Sequence, residues 1–241
     1  MKIFWVMLAI ISGMMLSAGA QTAAHPEQLF RDGMKKFRAE NYQEGVDALT
    51  AALENLPGEN PPFDPALAHY NIGVGNFRLS KPDEAAAAFQ EALKTSDIRL
   101  QTKAYFNLGN AQYQSAQNKL NEGDVAAGFQ QFQAAATNYM QSLRLDATDR
   151  DAKVNYELCL QAQMKILQMV AMAMQHLRQG EQLVGEYKFI EAAQWFQQNF
   201  DAVDKALSIE PEVKKQFESL RQRSASVAEI IAPTAPPEAA P

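Results

Sequence analysis

Three glycines recur at similar intervals along the first half of the chain, at Gly33, Gly73 and Gly109. After each glycine, a turn signal is followed by a segment that combines small and large residues. These segments contain Leu49 and Ala52, Phe89 and Ala92, and Ala135 and Tyr139. Small residues let two antiparallel helices approach closely, and bulky ones fill the space between neighbouring hairpins. A single hairpin cannot bury its apolar face, so this pattern predicts a stack of several helical hairpins.

The glycines and residues 104–111 resemble the tetratricopeptide repeat (TPR), a helical hairpin of about 34 residues. The resemblance implies an all-α fold: an α–α superhelical solenoid of TPR-like helical hairpins, closed by a C-terminal capping helix. It also implies that the chain works by protein–protein interaction. The glycines lie 40 and 36 residues apart, so we expect long connections between repeats.

We expect the solenoid to cover residues 25–231. Its predicted parts are units at about 27–57, 66–96, 101–147 and 151–211, and a capping helix at 212–231. Residues 114–134 are predicted to extend the helices of the third unit. In the fourth unit Glu157 stands at the glycine position. We predict a long helix from about Asp151 to Gln179 in this unit, followed by a turn from Gly180 to Tyr187. Residues 232–241 consist mostly of Pro and Ala and are expected to be disordered.

The N-terminus carries a pattern typical of an export signal. Lys2 precedes a short apolar run from Ile3 to Leu16, and Ala18 and Ala20 provide the small residues of a cleavage site. We therefore predict a signal peptide at residues 1–20 and a mature protein in the bacterial periplasm, with no direct membrane span after cleavage. The alternative is an uncleaved anchor, although the run is short for a membrane span of about 20 residues.

The net charge and the cysteine content further limit the partners and the bonds that the chain can have. The formal net charge is −6 and there is no stripe of Lys and Arg, so nucleic acid is not an expected partner. The single cysteine, Cys159, cannot form an internal disulfide and is predicted to be a small buried hydrophobic residue.

No sequence motif indicates catalysis, so we expect no enzyme activity, no cofactor and no metal site. His25, His69 and His176 lie in separate segments without metal-ligand spacing. An alternative function depends on four methionines in one helix, at Met164, Met169, Met172 and Met174. Thioethers can bind Cu(I), and flexible methionine side chains can line an apolar cavity that adapts to its ligand. The chain could therefore be a periplasmic chaperone or carrier for a small ligand, heme or copper.

The concave face of the solenoid is the predicted protein-binding groove. In the TPR family the first helix of each hairpin lines this face. The matching residues here are Tyr70, Asn71, Arg78, Phe106, Asn107, Asn110, Tyr113 and Asn155. Aromatic rings supply contact area and amides can hydrogen-bond a peptide backbone, so we interpret the asparagines as binding rather than structural residues. Phe30 and Met34 occupy positions where a carboxylate clamp needs polar residues, which argues against binding of that kind.

Residues 143–158, together with residues 105–110, resemble the TPR proteins of bacterial aerotolerance (Bat) operons. This resemblance implies an envelope protein that works beside membrane proteins with von Willebrand factor A domains and an ATPase of the MoxR type. Envelope membrane proteins are therefore the expected partners.

Overall fold

The structure, a computed structural model, describes residues 25–231. All regular secondary structure in this range is helical, and the predicted all-α solenoid is confirmed. The helices are α1 (Pro26–Arg38), α2 (Tyr42–Glu54), α3 (Pro65–Arg78), α4 (Pro82–Ala92), α5 (Ile98–Asn121), α6 (Val125–Leu145), α7 (Arg150–Gly185), α8 (Phe189–Ala206) and α9 (Pro211–Ile231), with a 3-10 turn at Leu207–Ile209. The predicted signal peptide and the C-terminal tail lie outside the described residues.

Several helices begin where the sequence provides a capping side chain. The carboxylates of Asp64, Asp97, Asp124 and Asp149 each accept a hydrogen bond from a backbone N–H in the first turn of α3, α5, α6 and α7. Such caps satisfy amides that have no partner within the helix. Proline opens α1, α3 and α4, where its missing N–H costs nothing.

Each helix packs mainly on its neighbours in the chain, which builds a row of hairpins: α1–α2, α3–α4, α5–α6 and α7–α8, followed by α9. The glycines lie where the two helices of a hairpin meet, as predicted. A Cβ atom on Gly73 would lie 2.6 Å from the Phe89 ring, and one on Gly109 would lie 2.8 Å from the Tyr139 ring. Only a residue without a side chain fits at these contacts.

The third hairpin is longer than the first two. Helices α5 and α6 have 24 and 21 residues, whereas the helices of the first two hairpins have 11 to 14. The chain turns at Gly123, which adopts a positive φ of 85° that favours glycine. The residues predicted as an insertion therefore extend both helices, and α7 lies along the lengthened hairpin.

The turn predicted from Gly180 to Tyr187 begins later than expected, because α7 continues through Gly180 and ends at Gly185. Gly180 lies against the ring of Phe196 on α8 and provides the close contact of the fourth hairpin. Its distance from Phe196 is 16 residues, as from Gly33 to Leu49 and from Gly73 to Phe89. The glycine of the fourth hairpin is thus Gly180, and the predicted register that puts Glu157 at the glycine position is wrong.

The two halves of α7 belong to different parts of the core. Cys159 and Ile166 pack with Tyr139 of α6, while Leu177 packs with Phe196 and Phe217 of α8 and α9. Cys159 is fully buried, which confirms its predicted role. Among residues 25–231, no helix combines the length and the apolar composition needed to cross a bilayer.

Candidate peptide-binding groove

The predicted groove residues lie on three helices, α3, α5 and α7, and α5 contacts both of the others. Tyr70 and Asn71 lie on α3, Asn107 and Asn110 on α5, and Asn155 on α7. Stacking of the hairpins brings most of these side chains within reach of one another. The exceptions are Asn71 and Arg78, as described below.

A chain of hydrogen bonds crosses the groove. The amide of Asn107 donates to the hydroxyl of Tyr70 at 2.9 Å, and the amide of Asn110 donates to the oxygen of Asn107 at 3.3 Å. The oxygen of Asn110 accepts from the hydroxyl of Tyr139 at 2.7 Å and from the amide of Asn155 at 3.0 Å. This amide chain, which runs from Tyr70 to Asn155, ties α3, α5, α6 and α7 together. The asparagines therefore have a structural role that the sequence interpretation did not give them.

Asn71 and Arg78 stay apart from the amide chain. The amide of Asn71 donates to the Leu67 carbonyl of its own helix at 2.7 Å. Asn71 and Asn107 hold matching positions in successive repeats, but they make different contacts. Arg78 is exposed at the end of α3.

Beside the amide chain, the groove opens into a larger cleft of about 660 Å³. Its lining is Tyr70, Ile98, Arg99, Thr102, Lys103, Phe106, Asn107, Leu145, Asp146 and Asp149. Ile98 and Leu145 are 60% and 40% exposed, so the cleft has an accessible apolar surface. Arg99 and Lys103 are exposed on its rim.

Both carboxylates that line the larger cleft accept hydrogen bonds from residues close to them in the sequence. Asp149 caps α7 through the Ala152 amide at 2.9 Å. Asp146 accepts from the side chain and the backbone of Thr148, and these bonds hold the pKa of Asp146 below its usual value. Their carboxylates are thus less available than the two cationic side chains of the rim.

The hydroxyl proton of Tyr70 is available for a hydrogen bond to a ligand. Its oxygen accepts from Asn107, and within residues 25–231 its own proton has no acceptor. Burial raises the pKa of Tyr70, so the hydroxyl remains protonated at neutral pH and can donate. Because Tyr70 lines the larger cleft, this proton is available to a carbonyl or carboxylate oxygen placed there.

A smaller cleft of about 260 Å³ lies on the far side of Asn110. It is lined by Phe77, Asn110, Tyr113, Gln114, Gln117, Tyr139, Asn155 and Leu158. The ring of Tyr113 packs edge-on against Phe132 with 5.2 Å between centroids, so it serves the core as well as the cleft. Tyr113 and Phe106 are both half-buried. The predicted groove is therefore divided into two clefts, and the Asn107–Asn110 pair separates them.

Sequence reasoning missed the rim of the larger cleft. Arg99, Lys103 and Phe106 follow one another at intervals of four and three residues, which places them on one face of α5. That spacing was visible in the sequence. Leu145 and Asp146 at the end of α6 carried no comparable signal, because their position depends on how the long hairpin folds back.

The four methionines do not form one cluster. Met169 and Met172 line a cleft of about 200 Å³ between α7 and α8, together with His176. Met174 packs into the core formed with α8 and α9, and Met164 is exposed. In the part of the chain that the structure describes, no group of three or more His, Cys, Asp or Glu residues could hold a metal ion.

Comparisons with known proteins find structural similarity at low sequence identity. No family model matches the chain, and a search of curated proteins finds no match. The first TPR domain of Spaghetti, solved with the HSP90 peptide SRMEEVD, is 21% identical, with a TM-score of 0.44, over 58% of this chain and 94% of that one. A TPR protein from Bacteroides fragilis NCTC 9343 is 18% identical, with a TM-score of 0.32, over 84% of this chain and 98% of that one. The helix packing of residues 25–231 itself defines a solenoid of TPR-like hairpins.

Proposed function

We propose that this chain is a scaffold or adaptor that binds a segment of another protein in the groove on α3, α5 and α7. One observation carries the proposal: the larger cleft combines accessible apolar surface, an available hydroxyl proton and a cationic rim. Exposed apolar side chains grouped in a concavity favour binding of a partner, since an unused patch of that kind is a liability.

An extended peptide suits this chemistry. Tyr70 can donate to a peptide carbonyl, while Phe106 and Ile98 offer apolar area to a side chain. The amide chain holds Tyr70 and Asn107 in place before a ligand arrives, so little ordering is needed on binding.

Photo-crosslinking can locate the binding surface. A photoreactive residue at Lys103 should capture a protein partner, whereas the same residue at Gln90, an exposed position that lines neither cleft, should not. Thr102→Trp should fill the larger cleft and abolish this capture without changing the melting temperature, and Gln90→Trp is the matched control. Equal capture from both positions, or capture that survives Thr102→Trp, would contradict the proposal.

We further propose that the chain works in the bacterial cell envelope, beside Bat-type membrane complexes. It depends on the signal pattern at residues 1–20 and on the resemblance of residues 143–158. The form isolated from the envelope should begin at Gln21 when its N-terminus is sequenced. A protein that keeps Met1 would contradict cleavage and favour the anchored alternative.

The methionine region supports a second candidate function, the binding of Cu(I) or a small ligand. The observation that favours it is the shared cleft of Met169, Met172 and His176, whose soft sulfur and imidazole donors suit Cu(I). Titration with Cu(I) in the presence of a competing chelator should show binding that the double variant Met169→Leu and Met172→Leu loses. Unchanged binding in this volume-conserving variant would exclude the cleft as the site.

A further inference from the structure

The two clefts of the groove follow one another along a single helix, α5, which has 24 residues. Six residues of α5 that line the clefts recur at alternating intervals of four and three: Arg99, Lys103, Phe106, Asn110, Tyr113 and Gln117. Side chains at this spacing share one side of a helix, which we name the α5 face. The first three line the larger cleft and the last three line the smaller one, so α5 sets the distance between the two clefts.

The end of the α5 face in the larger cleft is cationic. Arg99 and Lys103 lie one turn apart, and both are exposed. Within residues 25–231 neither side chain enters an ion pair, whereas Asp146 and Asp149 accept local hydrogen bonds. A ligand carboxylate placed beside both cations would gain two opposite charges, and charge complementarity of this kind fixes the register of a ligand.

The end of the α5 face in the smaller cleft is uncharged, because none of the residues that line this cleft is acidic or basic. In the part of the chain that the structure describes, the side chains of Tyr113, Gln114 and Gln117 make no hydrogen bond, so they remain available to a ligand. A charged ligand side chain would lose water there without gaining an opposite charge. The smaller cleft therefore favours an uncharged residue.

The distance between the two ends can be measured along the helix. Lys103 and Tyr113 are ten residues apart, which corresponds to about 15 Å at 1.5 Å per residue. An extended chain advances about 3.3 Å per residue, so a segment that runs along α5 covers this distance in about four to five residues. Asn107 and Asn110 lie between the two ends and are held in place by the amide chain.

We infer that the partner segment carries an acidic side chain about four to five residues away from an uncharged residue, and that the α5 face selects this interval. The inference rests on the proposed function and adds the chemistry and spacing of the ligand. The acid lies within the segment rather than at a C-terminus. The larger cleft also includes the exposed apolar residues Ile98 and Leu145, which a chain that ended at the cations would leave uncovered.

Selection of peptides tests the chemistry of the ligand. Random peptides of about twelve residues are long enough to reach both clefts and can be selected on the full chain by phage display. The selected peptides should share an Asp or Glu at the stated interval from an uncharged residue. Synthetic copies labelled with fluorescein should bind equally well with a free or an amidated C-terminus in anisotropy titrations. A loss of about tenfold on amidation would assign the cations to a terminal carboxylate and overturn the inference.

A charge swap tests the cationic end. Lys103→Glu should weaken a selected peptide by about tenfold or more, and changing the acidic residue of the peptide to Lys should restore binding to this variant. Lys165→Glu is the matched control, because Lys165 is exposed on α7 and lines neither cleft. If both variants lowered the affinity equally, the cationic end would take no part in recognition and the inference would fail.

Insertion into the peptide tests the interval. Two glycines between the acidic and the uncharged residue add about 7 Å and should weaken binding about tenfold, whereas two glycines at the N-terminus of the peptide should not. Gln117→Trp, at an exposed position of the smaller cleft, should weaken the whole peptide but not a copy truncated before its uncharged residue. Unchanged affinity after the internal insertion would overturn the inference alone. Selected peptides whose binding survives Thr102→Trp would contradict the proposed function itself.

Discussion

The hydroxyl of Tyr139 on α6 donates a 2.7 Å hydrogen bond to the side-chain oxygen of Asn110 on α5. Tyr139 is almost completely buried, and the contact lies one residue from the close approach between Gly109 and the same ring. The two helices of the third hairpin are therefore fixed by a polar bond and an apolar contact at the same level. Because Asn110 also accepts from Asn155, it joins this hairpin to α7.

Asn110→Ala should destabilise the protein. It removes the acceptor of two hydrogen bonds and leaves the buried hydroxyl of Tyr139 without a partner, which typically costs about 1–3 kcal/mol. Asn71→Ala is the matched control, because Asn71 bonds only to its own helix, and surface changes usually stay within about 0.5 kcal/mol. Urea denaturation of both variants provides the comparison. Equal stability of the two variants would mean that the amide chain contributes nothing to the fold.

The sequence could predict the hairpins because their determinants are local. Small residues such as Gly73, and caps such as Asp97, act through neighbours along the chain, and their spacing is readable without coordinates. The close contact of the fourth hairpin differs from its predicted position for a physical reason. The lengthened third hairpin requires a longer α7, which moves the close contact from the expected Glu157 to Gly180. The 16-residue interval from Gly180 to Phe196 was present in the sequence and would have corrected the register.

The amide chain could not be predicted in the same way. Asn71, Asn107 and Asn155 look alike in the sequence, yet one bonds within its helix and two bond between helices. The difference depends on which hydroxyl or amide the neighbouring hairpin brings within about 3 Å, a distance set by tertiary packing.

Gly180→Ala should destabilise the fourth hairpin. The added Cβ would overlap the ring of Phe196, which is fully buried and has no room to move. Overpacking usually costs about 1–3 kcal/mol, and the better helix propensity of alanine returns at most about 1 kcal/mol. We therefore expect a net loss of about 1–2 kcal/mol in thermal or chemical unfolding.

Gly185→Ala is the control for this substitution. Gly185 lies in the same helix, but a Cβ there would meet nothing within 4 Å. Alanine should therefore leave stability unchanged or raise it by up to about 1 kcal/mol. If both glycines tolerated alanine equally well, the close contact between α7 and α8 would not be needed.

Asp149→Ala should weaken the start of α7. The Asp149 carboxylate accepts from the Ala152 amide at 2.9 Å, and loss of such a cap typically costs about 1 kcal/mol. Asp151→Ala, in the first turn of the same helix, removes a charge but no capping bond and should cost less. Hydrogen exchange of the first turn of α7 would show the difference directly. Equal exchange in the two variants would contradict a capping role.

Cys159 should react with alkylating reagents only when the protein unfolds. Burial raises the pKa of its thiol to about 12 from an ordinary value of 9.0, and the thiolate is the reactive form. We expect labelling at pH 8 to be at least about a hundredfold slower in the native protein than in urea. Mass spectrometry can follow both rates. Native labelling as fast as in urea would place the thiol at the surface.

The raised pKa of the Cys159 thiol also makes the stability of the protein depend on pH in the alkaline range. Below about pH 9 the thiol is neutral in both folded and unfolded chains, so it adds no pH dependence. As the pH rises from about 9 towards 12, the unfolded thiol ionises while the folded one stays neutral, and the free energy of unfolding falls. Burial also raises the pKa of Tyr139, so ionisation of this tyrosine lowers the free energy of unfolding in the same direction.

Cys159→Ala should retain the contribution of Tyr139 and lose that of the thiol, so the stability of this variant should fall less steeply with pH in urea titrations. An identical slope in the two proteins would show that the native thiol ionises as readily as the unfolded one.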